Sequence, residues 1–417
     1  MEFTPTCHEK IRSLIHKGVS VLNPSTIDIG DEVKLEHISG NSVTIYPGCR
    51  IYGNQTVISS GAQIGKEGPV TIEDCQLGED VELKGGFFRR SVFLKQSCMG
   101  LGAHVREGCI LEEQANGAHC VGLKQTVLFP FVTLGSLINF CDCLMSGGTS
   151  RAHHSEVGSS YIHFNYTPES DKTTPSLLGD VPRGVMLNQA PIFLGGQGGI
   201  VGPIRLGFGN VVGAGTILRK DSPEDGKLIF GKSYRESVID FVPRLYPDIS
   251  RMVSNNIIFI ANLTALEHWY QYVRKGLMSR AELGNLVYLG ALDKLALAKT
   301  ERQKRLRAMA EKMPDSLDIT TRNHRSATTK HEFHHHIDDI CAVFSDTATA
   351  VSVKPLKDRF LTELNSHIQH TRHSDYLQII QTLPPQVSLL GTKWLQSIID
   401  DICCKTSVIV PDMNLFT

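Results

Sequence analysis

The chain has 417 residues and carries 42 basic against 43 acidic side chains, a formal net charge of −1. That balance argues against nucleic acid or an anionic membrane as the main partner, since both are held by concentrated positive charge. No apolar run approaches the roughly 20 residues of a membrane span and the first residues lack an apolar signal core, so a soluble cytoplasmic protein of two or three domains is expected.

Residues 1–24 contain a short amphipathic pattern, Cys7 to His16, that predicts a helix capping whatever follows. Over 25–232 a different rule takes hold, an aliphatic residue followed by glycine or a small residue and then four variable positions. It is clearest at Leu101-Gly102, Val121-Gly122, Leu134-Gly135, Val157-Gly158, Leu178-Gly179, Leu206-Gly207 and Val212-Gly213. A six-residue period is neither a helix face nor a plain alternating strand. It predicts a coil that turns a corner every hexad, with glycine where the corner needs a permissive φ. Three hexads close one triangular coil, and stacked coils bury an aliphatic column that none could bury alone. The fold class expected is therefore mainly β, a left-handed parallel β-helix of hexapeptide repeats, followed by an α-helical C-terminal region. Gly85 to Ser97 departs from the rule and is expected to form a side loop or bulged coil.

After Asp221 the pattern changes. Residues 233–313 show helical spacing, 314–330 are polar and aperiodic and predict a linker, and 331–417 are again helical. His331, His334, His335 and His336 stand before Asp338 and Asp339, but three consecutive histidines point in different directions on a helix. A polar helix face is expected there, and no metal. The cysteine pairs Cys141/Cys143 and Cys403/Cys404 have no second pair at ligand spacing either.

Four stretches then carry a resemblance: Arg106-Glu107-Gly108; Lys124 within Val121-Gly122-Leu123-Lys124; Asn165-Tyr166 ahead of Lys172; and Gly209 to Thr216. In the same order and at nearly the same spacing, they resemble the C-terminal acetyltransferase domain of bifunctional N-acetylglucosamine-1-phosphate uridyltransferase/glucosamine-1-phosphate acetyltransferases. The resemblance implies that Arg106, Lys124 and Lys172 hold a sugar phosphate or nucleotide sugar and that Asn165 and Tyr166 orient the amino sugar. It further implies acetyl-CoA as co-substrate in a small-residue channel at Gly196 and Ala214, and a homotrimer with sites between subunits. Arginine offers phosphate a planar fork and lysine a mobile point charge. The family's nucleotide-binding domain has no counterpart before the coils begin, so no pyrophosphorylase chemistry is expected.

One departure bears on catalysis. The family's general-base histidine falls at Ser136 and its nearby tyrosine at Asn139. A serine does not take an amine proton near neutral pH, whereas an imidazole does. The segment between Asp142 and Asn165 is longer than in the family and supplies His153, His154 and His163 as replacement bases. Each also reads as an ordinary solvated or capping histidine. Two functions follow: an acyltransferase on an amino-sugar phosphate or nucleotide sugar, or a binding or scaffold protein that has kept the pocket and lost the chemistry.

Overall fold

A computed structural model describes residues 5–165, 167–231, 236–319, 324–345, 353–371 and 373–416. Residues 20–229 form three parallel sheets of 11, 10 and 8 strands, in which each strand pairs with the strand one coil before and one coil after it. The first sheet runs from Ser20–Val21 to Leu228–Ile229, the second from Asp28–Ile29 to Ile217–Leu218, and the third from Val57–Ile58 to Arg205–Leu206. This is a parallel β-solenoid and it fits the left-handed β-helix read from the hexads.

The register shows why the hexads specify it. Ile45, Ile64, Leu83, Met99, Leu134 and Val157 fall in one column of the first sheet, all fully buried. Burying each such side chain contributes about 1.5–3 kcal/mol. Of the seven aliphatic residues that define the rule, Leu101 alone faces out, 45% exposed. Its Cδ1 lies against the bare backbone of Gly68 and Gly85, so it roofs a corner instead of filling the column.

The expected side loop between Gly85 and Ser97 is instead a regular rung. Gly86–Arg89 pairs with Val70–Glu73 below and Ala103–Val105 above. The hexad wording is lost because Phe88 fills the interior where an aliphatic residue stands elsewhere, meeting Phe93 edge to face at 5.6 Å.

Ten helices complete the described chain: α1 (Pro5–Lys17), α2 (Val181–Gly184), α3 (Ser250–Trp269), α4 (Lys275–Met278), α5 (Gly284–Ala310), α6 (Met313–Ile319), α7 (His324–Val343), α8 (Lys354–His370), α9 (Tyr376–Gln381) and α10 (Pro385–Ile409). α1 lies across the first coils, burying Ile11 and Leu14 while Lys10 Nζ donates to the carbonyls of Gly30 (2.8 Å) and Asp31 (2.6 Å).

The helices α3 and α5 cover the third sheet. There Val57–Ile58, Val92–Phe93, Ile110–Leu111 and Val127–Leu128 are buried at both positions, whereas outward residues of the other two sheets reach solvent. α5 runs up the solenoid coil by coil. Just before it Glu282 accepts from Ser39 at 2.7 Å, Gly290 abuts Gln76, Leu297 abuts Gly108 and Arg302 reaches Asp142. Its buried residues Val287, Ala291, Leu295, Ala298, Leu306 and Met309 follow helical spacing.

The stretch expected as a linker, 314–330, is helical over Met313–Ile319 and again from His324. Pro314 suits a first turn, Asp315 complements the helix N-terminus, and Met313 is fully buried, so the segment is tied down. The two helical stretches on either side of it are joined in one core: the rings of Trp269 and Trp394 both lie within 6 Å of Phe360, at 5.8 and 5.6 Å.

Candidate functional site

The outer face of the second sheet is bordered by Arg106, Lys124 and Asn165. His104, Gly122, Asn139 and Ile162 succeed one another up its middle. Val105 pairs with Leu123, so Arg106 and Lys124 leave successive coils side by side, at the edge next to the third sheet. Lys124 Nζ sits 2.8 Å from Glu107 Oε1, and Arg106 Nη2 lies 3.9 Å from Cys141 Sγ. Partial burial works to raise the Glu107 pKa, but the hydrogen bond and charge of Lys124 hold it below the usual value. The edge thus presents two cations against one carboxylate.

Immediately above is Asp142, buried, with Arg302 Nη2 of α5 donating to its Oδ1 at 2.7 Å. Burial raises the pKa of the Asp142 carboxyl, while the Arg302 charge and a hydrogen bond from the Asn165 side chain oppose that shift. Arg302 Nη1 also donates to the Lys172 carbonyl at 3.3 Å. Tyr246 Oη donates to Asp171, and Asn256 Nδ2 to the Thr173 carbonyl at 3.1 Å. The loop bearing Asn165 and Lys172 is therefore gripped by the helical region. Lys124 and Asn165 face Asp142, Arg106 lies beside Cys141 next to them, and Lys172 is placed there by its backbone carbonyl on Arg302; Tyr166 lies outside the described residues. Arg302 was not a candidate from the sequence, because nothing local distinguishes it within the basic stretch of its helix.

Across the same face, at the corner leading in from the first sheet, Ser136 Oγ lies 2.8 Å from His119 Nδ1. Ser136 N donates to Ser159 Oγ at 3.2 Å. Leu137 N bonds His119 O, Ser160 N bonds Ser136 O, Gln197 N bonds Ser159 O, and Gly215 N bonds Gly196 O. These rungs stack His119, Ser136, Ser159, Gly196 and Ala214 up a single corner. Gly196 and the exposed Ala214 lie on this corner, and the glycines beside them have a structural reason. A Cβ on Gly158 would stand 2.4 Å from Gly196 N, and one on Gly195 2.4 Å from Ala214 N, because successive coils touch backbone to backbone. His119 was missed in the sequence. Its signal was available, since residues one coil apart stack and His119 precedes Ser136 by one coil.

The three histidines proposed as bases are elsewhere. His153 and His154 sit on an antiparallel hairpin, Gly148–Ser150 with His153–His154, inserted at the corner between the third and first sheets. His153 Nδ1 contacts Thr149 Oγ1 at 3.2 Å and His154 Nδ1 the Arg151 carbonyl at 2.8 Å. That corner borders the face opposite the cationic edge, so within one chain neither reaches it. His163 points into the solenoid, 2% exposed, with Nε2 2.7 Å from Ser176 Oγ, and burial pulls its pKa down to about 3. As an inward residue on an alternating strand it fills the core and cannot meet a substrate on the outer face. In the helical region His334 Nδ1 contacts the Ala310 carbonyl and His336 contacts Asp339, both within 2.9 Å. Among the described residues no three His, Cys, Asp or Glu side chains are grouped to hold a metal ion, and no helix is long and apolar enough to cross a membrane.

No family model matches the chain. Among curated proteins it is similar to bifunctional protein GlmU of Thermotoga maritima, 27% identical over 218 residues, which cover 51% of this chain and 42% of that protein. GlmU of Carboxydothermus hydrogenoformans is 26% identical over 233 residues (56% and 46%), and GlmU of Pelobacter propionicus 28% over 213 residues (51% and 41%). The chain thus spans less than half the length of these relatives. A solved structure described as the polysialic acid O-acetyltransferase OatWY aligns with 53% of this chain and 91% of its own at 16% identity, with a TM-score of 0.15, too low to weigh. About half of this chain is therefore related in sequence to bifunctional protein GlmU, and its parallel β-solenoid is consistent with a GlmU acetyltransferase-like domain.

Proposed function

We propose that the solenoid is a hexapeptide-repeat acyltransferase module that binds an amino-sugar phosphate or nucleotide sugar on the outer face of its second sheet. The observation that carries this reading is the meeting of Arg106, Lys124 and Asn165 at one edge of that face, beside Asp142. Arg106 and Lys124 take the phosphate, and Glu107 keeps Lys124 placed until a phosphate competes for it. The acyl donor, acetyl-CoA first among acyl-CoAs, lies along the small-residue corner at Gly196 and Ala214, where no side chain stands in its path. A homotrimer belongs to the same proposal: the third sheet is already covered by helices, which leaves the first and second sheets to meet other copies.

A thermal-shift panel of hexosamine phosphates, UDP-sugars and acyl-CoAs tests the reading, because a ligand that binds only the native state raises its stability with affinity. Stabilisation by a phosphorylated sugar and by acetyl-CoA supports it; stabilisation by neither removes it. Light scattering at micromolar concentration decides the trimer separately. Ser136 and Asn139 favour a second reading, a binding protein without catalysis, in which sugar phosphate and acetyl-CoA both bind but no free CoA is released.

A further inference from the structure

Acyl transfer to an amine or hydroxyl requires a group that removes a proton, and none of the three histidines from the inserted segment stands on the site's face. Among the described residues, four histidine–hydroxyl contacts occur. His163 with Ser176 is sealed in the core. His153 with Thr149 belongs to the far-corner hairpin, and His367 with Thr382 to the helical region. The fourth, His119 with Ser136, is open to solvent and borders the second-sheet face. From His119 the chain turns through Cys120 and Val121 into the three-residue strand Gly122–Lys124, about 10 Å of extended chain that ends at the cationic edge. Gly122 adds no side chain to that floor, and a Cβ there would meet nothing nearer than 3.7 Å. A ligand anchored by phosphate on Lys124 and laid along that strand would pass over Gly122 toward the corner of His119.

Resting on the acyltransferase reading, we propose that His119 is the general base of the transfer and that Ser136 is its positioning residue. In this role Ser136 Oγ, 2.8 Å from His119 Nδ1, accepts the Nδ1 proton, so that the Nε2 lone pair is the one left free. Ser159 Oγ, accepting from Ser136 N, holds the serine backbone in place. In the reaction Nε2 takes a proton from the acceptor amine or hydroxyl as that atom bonds to the thioester carbonyl carbon. The carbon–sulfur bond then breaks, and the proton passes to the departing thiolate, so acyl-CoA and acceptor become acylated acceptor and free CoA. A base displaced by one coil explains how a serine stands where the resemblance expects a histidine.

The test is CoA thiol release from acetyl-CoA with glucosamine 1-phosphate and with UDP-glucosamine, using the full chain. His119→Ala is expected to lower kcat a hundredfold or more while KM for the sugar phosphate stays within about twofold. Ser136→Ala should lower kcat about tenfold, Ser136→Thr should restore most of it, and both should keep KM, a pattern that a purely structural serine does not give. His153→Ala and His154→Ala should retain the wild-type rate. If wild type transfers and His119→Ala keeps its full rate, the assignment of His119 is overturned and the acyltransferase reading survives. If wild type releases no CoA with either acceptor, the reading itself fails and the inference falls with it.

Discussion

Arg302 and Asp142 meet at 2.7 Å with both side chains almost wholly buried, one from the helical region and one from the solenoid. Through this pair, and through the Lys172 carbonyl that Arg302 also binds, the C-terminal half of the chain holds the loop beside the cationic edge. Removing one partner leaves an uncompensated buried charge. Arg302→Ala is expected to cost about 3–5 kcal/mol in urea denaturation, and Arg302→Leu combined with Asp142→Leu markedly less. Equal losses for the single and double variants would show that the pair does not couple the two halves.

Two buried groups act on stability in opposite directions with pH. Glu112, whose Oε1 accepts from Tyr270 Oη at 2.7 Å, is pushed from 4.5 to about 7, first by burial and further by the neighbouring Glu113, against the pull of Arg274. Its folded pKa lies above the unfolded one, so stability falls as pH rises from about 4.5 to about 7. His163 is lowered by burial from 6.5 to about 3, so its native form refuses a proton that the unfolded chain accepts. Stability therefore falls as pH drops from about 6.5 to about 3. The two contributions oppose each other between about pH 4.5 and 6.5, so chemical denaturation across pH 4 to 8 should show Glu112→Gln gaining on wild type as pH rises toward 7 and His163→Gln gaining on wild type as pH falls below 6.5. A Glu112→Gln curve parallel to wild type would place the titration elsewhere.

At the cationic edge, charge makes two variants move in opposite senses. Arg106→Ala should weaken binding of glucosamine 1-phosphate by about 1.5–3 kcal/mol, the worth of a charge-assisted hydrogen bond. Glu107→Gln releases Lys124 from its 2.8 Å ion pair and should tighten binding of the same ligand. Calorimetric titration reads both. A Glu107→Gln variant that binds more weakly would assign the carboxylate to the sugar and not to Lys124.

The small-residue corner separates packing from binding. Gly158→Ala drives a Cβ to 2.4 Å from Gly196 N, a backbone atom that cannot step aside, and should cost about 1–3 kcal/mol. Ala214 is exposed, so Ala214→Leu should leave the melting temperature almost unchanged while lowering affinity for acetyl-CoA. If Ala214→Leu binds acetyl-CoA as wild type does, the donor lies on another corner.

The solenoid was readable because its signal is local and repeated: Val121, Leu134, Val157 and Val212 each announce a corner six positions before the next, and all four are buried. Gly86–Arg89 hid from the same reading because a phenylalanine took the interior place. The cationic residues were found through short motifs that keep their spacing along the coil. The grip of Arg302 on Asp142 was invisible, since it joins positions in different halves of the chain and depends on which way α5 lies. His119 is an intermediate case. Its pairing with Ser136 follows from coil stacking once the coil length is known, and linear distance along the chain conceals it.

The path of α5 up the covered face has an evolutionary consequence. Repeat proteins ordinarily change length by duplicating or dropping a unit, and each unit shifts everything beyond it by about 4.8 Å. Here a rigid helix of 27 residues, about 40 Å long, touches alternate coils at Gln76, Gly108 and Asp142. A coil gained or lost between those points would put every later contact out of step and strand Arg302 beside the wrong rung. The helix therefore works as a gauge that freezes the number of repeats beneath it.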